Sequence, residues 1–237
     1  MNTYENIRQE LQQAGSPDKA AHLSRFFKTG KGEYGEGDRF IGVTVPRQRN
    51  IAQRYTAADF SVLEKLIRSP WHEERLTALL ILVYKFHKCK TEQERKVSVD
   101  FYISHTDHIN NWDLVDLSCY KLLGEWLMDK DRSLLYEWAG SEHLWRQRIA
   151  MVTCMHFVRQ GDFKDCLAIA DLLLQHPHDL IQKAVGWLLR ETGKKDEKTL
   201  VDFLTPRYSK MPRTMLRYTI ERFPEETRKK YLIKNSL

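Results

Sequence analysis

Trp112 and Asp116 lie four residues apart, so on a helix they share one face and place an indole ring beside a carboxylate. Both groups stabilise positive charge, the carboxylate through its full charge and the ring through its electron-rich face. Asn110 or Asn111 can cap this helix, and Asp113 suits its first turn. Capping does not explain Asp116, which lies one turn further in, where an unpaired acid is costly. The alternative is a partly exposed or arginine-paired helix acid.

A second aromatic residue with basic neighbours lies in the segment 180–191. On a helix, this segment places Lys183, Trp187 and Arg190 on one face. Gly186 lies beside the ring, and its missing side chain permits close approach of another backbone, at a helix cost of about 1 kcal/mol relative to alanine. The alternative is a core tryptophan packed between helices.

Length and composition are typical of a globular protein. The chain has 237 residues, 42% of them hydrophobic and 30% charged, which predicts one continuous domain over residues 1–237. Its four cysteines form no CxxC pair, and three of them lie in apolar helical stretches. The longest apolar run, 76–84, is too short to span a bilayer, and no signal peptide is evident. We therefore expect a cytoplasmic, monomeric protein without membrane contact.

Positive charge is concentrated in the second half of the chain. Residues 141–237 hold 18 Lys and Arg against 12 Asp and Glu, whereas residues 1–140 hold 20 of each. A basic half favours an anionic partner such as nucleic acid, although modest positive charge also occurs in proteins that bind none.

Helical patterns extend over nearly the whole chain, and no segment alternates with the period of a strand. Start signals occur at Ser16-Pro17, Pro46, Ser69-Pro70, Thr91 with Glu94 as a capping box, Asn110/Asn111, Ser141 and Met211-Pro212. Most connections between these helices are short, which favours antiparallel neighbours. The predicted fold class is all-α.

A weak repeat of about 35 residues relates the openings of successive helices, which is the length of a helix pair in repeat proteins. The repeated anchor positions, mostly basic or aromatic, are Arg75, Trp112 or Asp113, Arg148, Lys183 and Arg217. Stacked pairs would form a solenoid, an α-α superhelix, with a concave basic groove lined by the equivalent helices. The alternative for the basic positions is a solvated polar helix edge.

Two other patterns do not support cofactor chemistry. Residues 30–35 match GxGxxG, but a helix precedes them where a strand is required, and Glu33 and Glu36 would repel a pyrophosphate. The histidines and aspartates at 105–108 and 176–179 lack the spacing of a helical zinc site. We expect neither a metal nor a cofactor.

Three separated strings, 110–116, 144–149 and 181–191, resemble the signature helices of the AlkD-like DNA alkylation repair glycosylases. Those proteins are built from HEAT-like helical repeats. The resemblance covers nearly the whole chain, in order and spacing, and includes residues 26–30 and 211–214, which match one branch of the family.

The resemblance implies a monofunctional glycosylase that excises cationic N3- or N7-alkylpurines from double-stranded DNA without flipping the base, leaving an abasic site. It implies that Asp116 is the catalytic carboxylate, that Trp112 and Trp187 contact the deoxyribose, and that Arg148 holds a backbone phosphate. The predicted DNA-binding residues are Arg148, Lys183, Arg190, Arg75, Arg213 and Arg217.

The chain departs from the family pattern in two places. Asn111 stands where the best-known members carry a second tryptophan, and the loop 30–38 is longer than theirs. Some relatives with altered catalytic positions bind DNA without excising bases, so the alternative is a non-catalytic repeat protein that binds damaged or branched DNA. A third hypothesis is a scaffold for protein interactions. The retained carboxylate at Asp116 favours activity.

Overall fold

The computed structural model describes residues 3–233, and within that range it contains fourteen α-helices. The helices are α1 (Thr3–Ala14), α2 (Pro17–Phe26), α3 (Val45–Arg54), α4 (Phe60–Ile67), α5 (His72–Lys88), α6 (Glu92–Ser104), α7 (Trp112–Asp116), α8 (Ser133–Ala139), α9 (Leu144–Arg159), α10 (Lys164–Leu172), α11 (Asp179–Lys195), α12 (Glu197–Leu204), α13 (Arg213–Thr219) and α14 (Glu225–Leu232). Short 3₁₀ turns cover Thr106–His108 and Tyr208–Lys210, and a π-helical turn covers Tyr120–Gly124. The only β pairing of the described backbone is an isolated bridge between Arg39 and Trp71. The predicted all-α helical-repeat fold is confirmed.

Local capping chemistry explains where several helices begin. Thr91 and Glu94 make both hydrogen bonds of a capping box at the start of α6, as predicted. The start signals at Ser69 and Ser141 lie three residues before the first residue of their helices. Each serine side chain accepts a hydrogen bond from the backbone N–H of the residue two positions later. Ser69 Oγ accepts from Trp71 N at 3.1 Å, and Ser141 Oγ accepts from His143 N at 3.4 Å.

The positions of the sequence repeat fall on every second helix, namely α5, α7, α9, α11 and α13. Within this series α5 packs against α7, α9 against α11, and α11 against α13. A Cβ atom added to Gly186 of α11 would lie 2.5 Å from the Cβ of Tyr218 in α13. The predicted close approach of another helix at Gly186 is therefore confirmed.

The chain divides after Ser118 into two compact units. In the first unit α5 is the central helix, buried along most of its length and packed against α3, α4, α6 and α7. In the second unit α9 is similarly buried and packs against α8, α10 and α11. Cys119, Cys154 and Cys166 are completely buried, as expected for small core residues. One domain over residues 1–237 stays a prediction.

Within the described part of the chain, every helix is too short or too polar to cross a membrane.

Candidate active site

The first unit contains a cavity of about 530 Å³ formed by α2, the chain that follows it, and the N-terminal ends of α3, α5 and α7. The surface that faces this cavity is mostly apolar and aromatic, although half of the lining residues are polar or charged. The polar and charged lining residues are Lys19, His22, Thr44, Gln48, His72, Glu73, Asp113 and Asp116. An apolar cavity with a few convergent polar groups is the usual form of a small-molecule or active site.

Trp112 and Asp116 begin and end α7, and both half-buried side chains line this cavity. Asn111 caps the helix, since its Oδ1 accepts from Trp112 N at 2.9 Å. A helix of five residues is not stable in isolation. The placement of the indole and the carboxylate therefore depends on what α7 packs against.

Aromatic rings hold the indole of Trp112 in place. Phe27 stacks on it with 5.1 Å between ring centroids, and Phe26 meets it edge-on at 5.8 Å. The other face of this cluster is the imidazole of His72, which lies 5.0 Å from Phe27 and 4.7 Å from Phe40. Aromatic pairs in such arrangements contribute about 0.5–1.5 kcal/mol each beyond the area that they bury.

A buried network of charged side chains lies beneath the rings. His72 Nε2 is 2.9 Å from Asp113 Oδ2, and its Nδ1 is 3.4 Å from Asp38 Oδ2. Arg75 Nη2 lies 2.7 Å from the same Asp38 oxygen and donates to Asn110 Oδ1 at 3.1 Å. Asn110 Nδ2 donates to Asp38 Oδ1 at 2.9 Å. The four charged side chains are at most 7% exposed, so each depends on the others for compensation.

The charges of this network set the protonation of its histidine. Burial alone lowers the pKa of His72, but the charge and hydrogen bond of Asp113 and the hydrogen bond of Asp38 outweigh it and raise the pKa to about 9. Burial likewise raises the pKa of Asp38, but His72, Arg75 and Asn110 more than offset this, and the pKa is lowered. At neutral pH His72 is therefore a cation and Asp38 is a carboxylate.

Glu73 fixes the chain that leads into the cavity. Its carboxylate is buried and accepts backbone hydrogen bonds from Ile41 at 2.9 Å, Gly42 at 2.8 Å and Val43 at 3.2 Å. Gly42 is required there, because its φ is +90° and a Cβ would lie 2.1 Å from the carbonyl oxygen of Ser16. Glu73 therefore has a structural function at the cavity wall.

Asp113 makes contacts beyond the helix-capping function expected from its position. It is a first-turn acid, and its Oδ1 accepts from Leu114 N at 2.9 Å. It is also buried and bound to His72. Neither His72 nor Asp38 was predicted from the sequence as a site residue. The available signal was the charged tetrapeptide 72–75 at the start of an otherwise apolar helix, because such charges must find partners when the helix is buried.

Two of the predicted DNA-binding arginines are buried. Arg75 is 5% exposed and, besides Asp38 and Asn110, binds the carbonyl oxygen of Ser69 at 2.8 Å. Arg148 of α9 is also 5% exposed and donates to the carbonyl oxygen of Leu180, near the start of α11, at 2.5 Å. Both hold neighbouring segments together, and their phosphate contacts stay predictions.

The remaining predicted residues lie nearer the surface of the second unit. Lys183 pairs with Asp179 at 2.7 Å, and Arg190 pairs with Glu221. Trp187 of α11 is half-buried. Arg213 is exposed and donates to Leu232 O at 2.6 Å, and Arg217 is exposed on α13.

Asn111 and the glycine-rich loop 30–38 meet at one point in the first unit. Asn111 is completely buried, and a Cβ added to Gly35 would lie 3.5 Å from its Nδ2. A Cβ there would also lie 2.5 Å from the carbonyl oxygen of Phe27. The loop 30–38 therefore packs closely over Asn111.

Comparisons with known proteins address the family of the whole chain. No curated protein matches the sequence. A solved structure described as a predicted DNA alkylation repair enzyme from Enterococcus faecalis is similar with a TM-score of 0.68 and 16% identity, over 89% of this chain and 97% of that chain. That likeness supports the fold. The family model for DNA alkylation repair enzymes matches residues 7–223, and the chain therefore belongs to the DNA alkylation repair enzyme family.

Proposed function

We propose that the protein is a monofunctional DNA glycosylase that excises cationic N3- or N7-alkylpurines from double-stranded DNA and leaves an abasic site. The observation that carries the proposal is the cavity of the first unit, which both Asp116 and Trp112 line. Membership of the repair family supplies the class of substrate.

The reaction matches these groups chemically. A purine alkylated at N3 or N7 already carries a positive charge, so its glycosidic bond breaks toward a neutral base and an oxocarbenium-like sugar without a general acid. The protein therefore has to stabilise positive charge on the sugar, and Asp116 and Trp112 supply a carboxylate and an electron-rich ring. Asp116 also orients a water molecule toward the sugar carbon in this proposal.

The magnitudes are sufficient for catalysis. At about 4 Å and an effective dielectric constant of about 20, one carboxylate stabilises a unit positive charge by about 4 kcal/mol. If this acts mainly in the transition state, it accelerates the reaction roughly a thousandfold. An indole face adds about 0.5–2 kcal/mol.

Backbone phosphates are the proposed ligands of the basic side chains. Lys183, Arg190, Arg213 and Arg217 lie at least partly at the surface of the second unit, where they attract a polyanion. Trp187 is proposed as a second ring against the deoxyribose. We further propose that the base is not flipped and that the protein acts as a cytoplasmic monomer.

Incubation with a duplex that contains 7-methylguanine tests the proposal. We expect release of the free modified base and alkali-labile strand scission at the lesion, with none in the matched unmodified duplex. Binding without scission would contradict a glycosylase and support the alternative, a non-catalytic protein that binds damaged or branched DNA. By the resemblance, the best-known members carry a second tryptophan where this chain has Asn111, and that departure favours the alternative.

Borohydride treatment tests whether the enzyme is monofunctional. Lys19 lines the same cavity, and a lysine that attacked the sugar would form an imine that borohydride reduces to a stable adduct. We expect no adduct during turnover of the 7-methylguanine duplex. A trapped adduct that disappears in Lys19→Gln would instead identify a lyase activity.

A further inference from the structure

His72 connects to the active-site helix by two separate routes. Its Nε2 lies 2.9 Å from Asp113, the residue that follows Trp112 in the chain. Its ring lies 5.0 Å from Phe27, which stacks on Trp112 at 5.1 Å. One residue of α5 thus contacts both the backbone segment and the ring cluster that determine where the indole lies.

The short helix α7 needs such support. Its five residues form too few hydrogen bonds to be stable alone, and its first turn is anchored by Asn111 and Asp113. Asp113 lies three residues before Asp116, so a shift of its carboxylate moves the helix that carries both Trp112 and Asp116. Misplacement of a catalytic group by about 1 Å can cost about a hundredfold in rate.

Stability alone is a poor explanation for the network. A buried ion pair costs much desolvation energy, and apolar residues of similar volume often replace one without loss of stability. The network joins segments distant in the chain, since Asp38 is 34 residues and Asp113 is 41 residues from His72. Directional bonds of this kind define a single arrangement of the loop 30–38, α5 and α7. Apolar packing would define that arrangement less strictly.

We propose that His72 is a positioning residue, which holds Asp113 and Phe27 so that Trp112 and Asp116 face the cavity together. This inference rests on the proposed glycosylase activity for its kinetic consequence, but its structural consequence can be measured without activity. His72 itself is not assigned a contact with the reacting atoms.

The positioning should depend on pH, because the bond to Asp113 is strongest when the imidazole is a cation. The titratable groups that contact His72 or line the cavity with it are Asp38 from the loop, Glu73 and Arg75 from α5, Asp113 and Asp116 from α7, and Lys19 and His22 from α2. The pKa of His72 is raised to about 9. The arrangement should therefore persist at neutral pH and loosen as the pH rises through that value.

Single-turnover kinetics of His72→Gln provide the first test. Glutamine keeps a hydrogen-bonding side chain but removes the charge and the aromatic ring. We expect the maximal excision rate to fall by at least about tenfold while the protein concentration that half-saturates the DNA changes by less than about threefold, since positioning acts on the chemical step. The matched control is His87→Gln, an exposed residue on the same helix, which should retain the wild-type rate.

Fluorine NMR of protein labelled with 5-fluorotryptophan provides the second test. The Trp112 signal is assigned by its loss in Trp112→Phe. In the wild type we expect this signal to move with pH around 9, the pKa of His72, and in His72→Gln we expect it to be displaced at neutral pH and to lose that titration. If His72→Gln fails to fold, two measurements still test the positioning function. One is the pH titration of the Trp112 signal in the wild type, and the other is the same titration in Asp38→Asn, which removes the other carboxylate at His72.

The outcomes separate the two proposals. A wild type that excises, with a His72→Gln variant equal in rate and in its Trp112 signal, overturns the positioning function alone. A wild type that releases no base while its Trp112 signal follows His72 overturns the glycosylase proposal and leaves the positioning intact. A Trp112 signal that is insensitive to pH around 9 and to Asp38→Asn also overturns the positioning function.

Discussion

Two basic residues at equivalent repeat positions, Arg75 of the first unit and Arg217 of the second, lie in different environments. At the start of α5 and α7 in the first unit, Asp38, His72, Arg75 and Asp113 are buried and balance one another. On α13 of the second unit, Arg217 is exposed to solvent. A buried, compensated charge has little field outside the protein and mainly determines local geometry, whereas an exposed charge attracts a polyanion over about a Debye length. Basic residues at equivalent positions of a repeat therefore need not share a function.

Removing the carboxylate of Asp116, a residue that lines the cavity, should have the largest effect. Asp116→Asn keeps the shape of the side chain and removes its charge. We expect excision of N3- or N7-alkylpurines to slow by about a hundredfold or more, which corresponds to about 3 kcal/mol of transition-state stabilisation. Single-turnover kinetics with a 7-methylguanine duplex measure the rate, and a binding titration checks that DNA affinity is retained.

The control for this variant must be an acid outside the buried network. Asp113→Asn is unsuitable, because it removes the partner of His72 and would disturb folding as well as rate. Asp59→Asn is suitable, since Asp59 is exposed at the start of α4 and its side chain makes no capping bond. Equal rates for Asp116→Asn and Asp59→Asn would remove Asp116 from the mechanism.

The free energy of unfolding should fall at alkaline pH because of His72. Its pKa is about 9 in the folded protein, against about 6.5 when unfolded. The stabilisation is complete below the unfolded value and is lost as the pH rises through the folded one, and it amounts to about 3 kcal/mol. Urea unfolding at pH 6, 8 and 10 measures it. His72→Gln should flatten this part of the profile, and an unchanged slope would show that other groups cause the loss.

The smallest effects should come from single surface cations. Arg217→Ala should lower DNA affinity only a few-fold and reduce the slope of log K against log salt by about 0.9, the value for one lost phosphate contact. Titrations at several salt concentrations, with damaged and undamaged duplexes, measure this slope. A change confined to the damaged duplex would point to recognition of the lesion rather than of phosphate.

Arg148→Ala sharpens the contrast between buried and exposed cations. Arg148 donates to the carbonyl oxygen of Leu180 and is 5% exposed, so its loss should cost about 1–3 kcal/mol in the free energy of unfolding. If Arg148 also binds phosphate, as the family resemblance implies, the salt slope should fall as it does for Arg217→Ala. A loss of stability with an unchanged slope would assign Arg148 a structural function alone.

Much of the fold could be predicted because the signals are local. The capping box at Thr91, the cap at Asn111 and the spacing of the repeated helices each depend on residues within one or two turns. The close approach at Gly186 was also predictable, since the missing side chain itself permits it. The functions of Asp113 and Arg75 were not, because their partners come from distant segments.

By itself the sequence determined the helices, their repeat and the shared face of Trp112 and Asp116, since a helix places residues four apart on one side whatever surrounds it. Only the tertiary structure decided which charged residues are buried and which residues they pair with. Asp38 belongs to a glycine-rich loop and His72 to the start of α5, and the hydrophobic burial of α5 brings both to Asp113. Because these charges are buried, they must be paired. The placement of the five-residue helix α7 therefore depends on His72, which lies 40 residues before Trp112, the first residue of that helix.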